Sequence, residues 1–155
     1  MSRFKFSNRS LNRMNEVHPN LRKVAERAIE LTTIDFGITE GKRAVERQFE
    51  LVADRKSKTY NSRHMHGMAI DIVAYVNGKV TWEHKYYHTI SKAFFQAAEE
   101  LNIRIRWGGD WDMDGKSTDE RFLDLVHFEL LKSEHPDDPE VVAYVNRLKE
   151  DRGIA

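Results

Sequence analysis

Apolar residues fall into short blocks whose spacing changes along the chain. Leu21, Val24, Ala25, Ala28 and Ile29 recur at intervals of three and four, which predicts a helix buried along one side, with Pro19 in its first turn. Ile34, Phe36 and Ile38 alternate, as in a short strand ending near Gly41. Val45, Phe49 and Val52 return to helical spacing, and Ala69 to Val76 reads as a buried strand. Asn77-Gly78 is a strong hairpin signal, with Lys79 to Trp82 as the return strand. Tyr87, Ile90, Phe94, Ala97, Ala98 and Leu101 mark a third helix. Ile103, Ile105 and Trp107 alternate with arginines, as in a half-buried strand, and Leu125 to Leu131 is a further strand. Asp138-Pro139-Glu140 opens a last helix, with Asp138 as N-cap, Val141, Val142, Val145 and Leu148 as its stripe and Gly153 as its stop. Helices and hairpins mixed in this way predict an α+β domain with no regular βαβ array.

With 155 residues, one domain is expected. The 25 basic and 25 acidic residues balance, so no global field favours nucleic acid or an anionic lipid surface. The chain has no cysteine, so a metal site must draw on His, Asp or Glu. No apolar run approaches the roughly 20 residues that span a bilayer, and the N-terminus does not resemble a secretory signal. The expectation is a protein made in a cytoplasm, which must be carried across the membrane if its substrate lies outside.

The candidate chemistry begins at SRHMHGMAID, Ser62 to Asp71. His64 and Asp71 offer an imidazole nitrogen and a carboxylate oxygen, both competent zinc ligands. A bend at Gly67 followed by a strand bearing Asp71 would bring them together. Spacing alone favours the plainer reading, an exposed loop histidine and a strand-edge aspartate. DLVHFEL, Asp124 to Leu130, adds a second histidine and carboxylate. His127 would complete a set of three ligands with one position open to water. Asp124 would then be free as a general base, the metal having lowered the pKa of that water to about 7. Taken by itself, this stretch is read as readily as a turn cap and a core histidine.

Together the two stretches resemble a known family. Ser62, His64, Gly67, Ala69 and Asp71 match S-x-H-x-x-G-x-A-x-D, the signature of zinc peptidases that cut peptidoglycan stem peptides. That group includes VanY-like D-Ala-D-Ala carboxypeptidases, VanX-like dipeptidases and phage L-alanyl-D-glutamate endopeptidases. Asp124 and His127 match its second motif, an acid three residues before a histidine. The resemblance runs from about Phe4 to Leu131. It implies a Hedgehog/DD-peptidase-type fold, a small antiparallel sheet flanked by helices. It also implies His64, Asp71 and His127 as zinc ligands and Asp124 as catalytic base. Arg43 would hold the substrate carbonyl and stabilise the oxyanion, and Ser62 would bond the substrate backbone. Aspartate at position 124, FKFS near the start and RWGGDW are most similar to the phage endopeptidases. The implied reaction is cleavage between L-Ala and D-Glu by a phage or prophage endolysin.

Other features are less specific. Asp110, Asp112, Asp114 and Gly115 fit the opening of a calcium loop, although its twelfth position is Arg121, with Glu120 beside it. Trp107 and Trp111 flank this loop; core packing is the default expectation for each, with a place in the cleft wall as the alternative, and His66 is expected as a partly exposed loop histidine. The expected organisation is a zinc peptidase domain over 1–131 and a helical extension, 132–155, packed on it. The partner would be the peptidoglycan stem peptide, met by a monomer with no nucleic acid bound and no membrane insertion. Two rivals remain at this stage: a D-Ala-D-Ala carboxypeptidase or dipeptidase, and a non-catalytic zinc-containing wall-binding module.

Overall fold

The computed structural model describes residues 3–114 and 124–155. Gly115, Glu120 and Arg121 of the expected calcium loop lie outside them. Ser7 caps a short helix, α1 (Asn8–Arg13), which the apolar pattern did not predict. Its one buried residue is Ser10, whose hydroxyl accepts from the Ile38 N–H at 3.0 Å, so α1 is fixed by polar contact with no hydrophobic stripe to reveal it. Then follow α2 (Pro19–Leu31), β1 (Asp35–Glu40), α3 (Val45–Ala53), a 3₁₀ turn (Arg63–His66), β2 (Ala69–Val76) and β3 (Lys79–Thr81). The order ends with α4 (His84–Leu101), β4 (Ile105–Gly108), β5 (Asp124–Leu130) and α5 (Pro139–Asp151). Each predicted helix and strand is present; β3 stops one residue before the expected Trp82, which is exposed.

The strands form one antiparallel sheet in the order β1-β2-β5-β4, with β3 also paired to β2. One edge of β2 takes β1. The other is shared, β5 pairing with Ala69–Asp71 and β3 with Ala74–Val76. Ile70, Ile72 and Ala74 face the main core, where Leu21, Val24 and Ala28 of α2 and Ile90, Phe94 and Ala97 of α4 meet them. The Phe94 ring stacks on Phe128 of β5, centroids 3.9 Å apart. Each buried Leu, Ile, Val or Phe side chain among these contributes about 1.5–3 kcal/mol. Side chains alternate along a strand, so Asp71 between Ile70 and Ile72 projects to the opposite face.

A second cluster joins Val145 of α5 to Val45 and Phe49 of α3 and to Met65 of the 3₁₀ turn, with Tyr60, Val141, Leu148 and Ile154 around it. Asp138 caps α5 as expected, accepting from the Glu140 N–H at 2.9 Å. Two glycines set close approaches near the site. Gly67 ends the 3₁₀ turn at φ +69°, in the left-handed region, supplying the expected bend. At Gly108 a Cβ would lie 2.0 Å from the Asp124 carbonyl oxygen, so only glycine lets β4 pair with the residue that opens β5.

Candidate active site

Sheet register assembles the site. Asp71 lies opposite His127 on β5 and opposite Glu40 on β1, giving one row of three polar residues across three strands. His64 arrives from the 3₁₀ turn, whose start Ser62 caps by accepting from the His64 N–H at 3.2 Å. The segment before α3 wraps this histidine. The Gly41 carbonyl lies 2.9 Å from His64 Nδ1, and the Arg43 N–H donates to the His64 carbonyl at 2.9 Å. His64 Nε2 therefore faces Asp71 Oδ1, 3.1 Å away, while His127 Nδ1 stands 3.3 Å from the same oxygen.

One donor atom from each of His64, Asp71 and His127 lies within 4.8 Å of the others, so the three form a group able to hold a metal ion. The chemistry of the donors fits a divalent ion taking nitrogen and oxygen ligands. Each histidine has its second nitrogen engaged: His64 Nδ1 with Gly41 and His127 Nε2 with Glu129 Oε1, at 2.8 Å. Such outer contacts fix the tautomer and aim the free nitrogen at a metal. Glu129, missed in the sequence, is buried and is itself flanked by Arg106 at 3.1 Å and Arg63 at 3.9 Å. It occurs two residues after His127, and that spacing on one strand face was the available signal.

Burial and charge pairing together set the electrostatics of the cluster. Burial alone would raise Asp71, but hydrogen bonds with His127 and His64 hold it well below the usual carboxylate range. Burial alone would lower His127; its bonds with Asp71 and Glu129 prevail and raise it to about 9. Asp124 is pushed up, first by burial and also by the negative charge of Asp71, against the opposing pull of His127, His64 and Arg43. A carboxylate raised in this way is a better proton acceptor than one in water.

All six expected residues, Arg43, Ser62, His64, Asp71, Asp124 and His127, line one cleft of about 840 Å³. Arg43 is largely buried and held on two sides. Its guanidinium grips both oxygens of Glu40 and donates to Gln48 Oε1 at 2.7 Å. Three of its five N–H groups are used in this way, leaving two for a ligand. Trp107 is in the core as expected. Trp111 is not: it lines the cleft, its ring 5.4 Å from His127.

His66 corrects another expectation. It is buried, with Nε2 2.8 Å from Asn61 Oδ1 and Nδ1 accepting from the Asp138 N–H at 3.0 Å. Beside it Arg63 donates to Asp137 and to the carbonyls of Leu130 and His135, tying the 3₁₀ turn to the segment after β5. The acidic loop after β4 also converges, one carboxylate oxygen from each of Asp110, Asp112 and Asp114 lying within 4.8 Å of the others.

Fold and cluster together define a small α+β domain with a metal-competent histidine–aspartate–histidine centre in an open cleft. The model of the phage L-alanyl-D-glutamate peptidase family matches residues 1–131, and the chain belongs to that family. It is 40% identical to the L-alanyl-D-glutamate peptidase of Escherichia phage T5 over 121 residues, covering 76% of this chain and 88% of the relative. Its fold matches the crystal structure of the Serratia marcescens L-Ala D-Glu endopeptidase ChiX with a TM-score of 0.74 and 35% identity. That match covers 86% of this chain and 94% of the other.

Proposed function

We propose that this protein is a zinc peptidase that hydrolyses the bond between L-Ala and D-Glu in peptidoglycan stem peptides, acting as a phage or prophage endolysin. The observation that carries the reading is the convergence of His64, Asp71 and His127 with Asp124 in one cleft, in a chain of this family. His64, Asp71 and His127 would hold the zinc. The ion would supply Lewis acidity, polarising the peptide carbonyl and making water acidic near neutral pH.

The other residues have distinct tasks. Asp124, its pKa raised by burial, accepts the proton of the attacking water and returns it to the leaving amine. Arg43, held by Glu40 and Gln48, turns its remaining N–H groups toward the carbonyl oxygen as negative charge develops there. Ser62, at the cleft wall, bonds the peptide backbone. Glu129 keeps the proton of His127 on Nε2, and so keeps Nδ1 available.

A second cation, calcium, is proposed at Asp110, Asp112 and Asp114, on the support of their converging carboxylates between β4 and β5. Titration of the zinc-loaded protein with calcium, read by calorimetry against an Asp112→Asn/Asp114→Asn variant, tests it; equal heats would remove calcium from the account.

Purified peptidoglycan digested by chelator-treated protein, with and without added zinc, tests the reaction. New D-Glu amino termini formed only with zinc are expected. Release of terminal D-Ala alone would replace the reading with a carboxypeptidase.

A further inference from the structure

The cleft has a second feature that the reaction chemistry leaves unused. Beyond the metal-competent cluster its wall is basic, formed by Arg55, Lys56 and Lys58 in the segment after α3, with Arg47 beside them. The chain as a whole carries no net charge, so this is a local concentration. Acidic lining does not neutralise it. Glu40 is bound by Arg43, and Asp71 and Asp124 belong to the metal end. Arg47 pairs with Glu50 at 3.0 Å, but no described carboxylate pairs with Arg55, Lys56 or Lys58.

The segment that carries these cations is fastened in place. The Lys56 and Ser57 N–H groups both donate to the Leu51 carbonyl, at 2.8 and 3.1 Å. Gln48, fully buried on α3, donates from Nε2 to Ser57 Oγ at 2.9 Å and to the Thr59 carbonyl at 2.6 Å. The other end of the same amide accepts from Arg43. One buried glutamine therefore holds the basic rim and the arginine of the reacting centre in fixed relation.

We infer that Arg55, Lys56 and Lys58 recognise a free carboxylate on the peptide that occupies the cleft, and so set specificity for an acidic residue next to the scissile bond. The inference rests on the endopeptidase reading above. A glutamate residue has two carboxyl groups, and when one continues the chain as an amide the other remains an anion. A peptide cut at L-Ala–D-Glu thus carries a negative charge on the residue that supplies the leaving amine. Rim and metal-competent cluster line the same cavity, so an anion at the rim belongs to the molecule being cut. Amidation of the free carboxyl removes the charge with almost no change of shape, and is the natural probe.

The test uses two synthetic peptides with an L-Ala–D-Glu bond, identical except that the free carboxyl of glutamate is an acid in one and a carboxamide in the other. The wild-type protein, zinc-loaded at low salt, should favour the acid about tenfold in kcat/KM, as expected of a few partly screened ion pairs. In Arg55→Gln/Lys56→Gln/Lys58→Gln that ratio should fall below about twofold. Because both substrates are measured on one preparation, the fraction of folded protein cancels. The charge-matched variant Lys5→Gln/Lys23→Gln/Lys92→Gln, altered at exposed positions outside the cleft lining, should keep the wild-type ratio. Equal cleavage of both peptides by the wild type would overturn the inference and leave the endopeptidase reading standing. So would a ratio that survives in the rim variant or is lost in the control. Cleavage of neither peptide would overturn both.

Discussion

Glu129→Gln separates the charge of the outer carboxylate from its shape. In the metal-free protein at pH 7, His127 is protonated, since its pKa is raised to about 9. Its Nε2–H donates to a Glu129 oxygen at 2.8 Å, and both side chains are buried. Removing one partner of a buried ion pair costs about 3–5 kcal/mol. The amide oxygen of glutamine still accepts the bond, which retains about 1 kcal/mol. Arg106, more than a third exposed, adds less than about 1 kcal/mol through its 3.1 Å contact after screening. The expected loss is therefore about 2–5 kcal/mol. Its pH dependence has a definite sign. A raised histidine pKa stabilises the fold fully below the unfolded value near 6.5, and that contribution is lost as pH rises through about 9. Urea unfolding of chelator-treated wild type and Glu129→Gln should show the full gap at pH 6, most of it at pH 7 and less than half of it at pH 10. Equal midpoints at pH 7, or a gap that does not shrink, would refute the assigned role of the pair.

Further outcomes follow from the same geometry. Asp124→Asn should lower turnover by about 10²–10⁴ with the fold retained by circular dichroism. In the wild type, activity should fall at acid pH as Asp124 takes up a proton, and the residual activity of Asp124→Asn should lack that acid limb. Chelation should abolish activity and lower the melting temperature, and added zinc should restore both; activity that survives exhaustive chelation would contradict the zinc assignment. Asp137, held down to about 2 by bonds from Asn61, Arg63 and Lys132 that outweigh its burial, stabilises the fold above its unfolded value and loses that contribution as pH falls. Asp137→Asn should then cost about 2 kcal/mol in urea unfolding at pH 7 and little below pH 2.

Residues whose role follows from local pattern were legible in the sequence. The stripes of α2 and α4 and the Asn77-Gly78 hairpin each depend on neighbours a few positions away. So does the Asp138 cap. Helix α1 was not legible, because a short helix held by the Ser10 hydroxyl has no apolar period. The site divides in the same way. His64, Asp71, Asp124 and His127 were singled out by motif, but spacing alone did not favour them as a site. Their meeting depends on the pairing of β2 with β5, a contact 56 residues apart in sequence. The supporting groups were less visible still. Glu129, Gln48 and Arg63 are ordinary polar residues until the fold buries them against His127, Arg43 and Asp137. His66 looked like a loop residue because the segment that covers it is more than 70 residues further along.

Cleavage of a single bond by this particular cleft is the central claim. Mass spectrometry of peptidoglycan digested in parallel by the zinc-loaded wild type and by Asp124→Asn tests it most directly. Whole stem peptides beginning with D-Glu, abundant with the wild type and nearly absent with the variant, are the predicted result. Fragments that differ only by a terminal D-Ala, or equal yields from the two proteins, would contradict it.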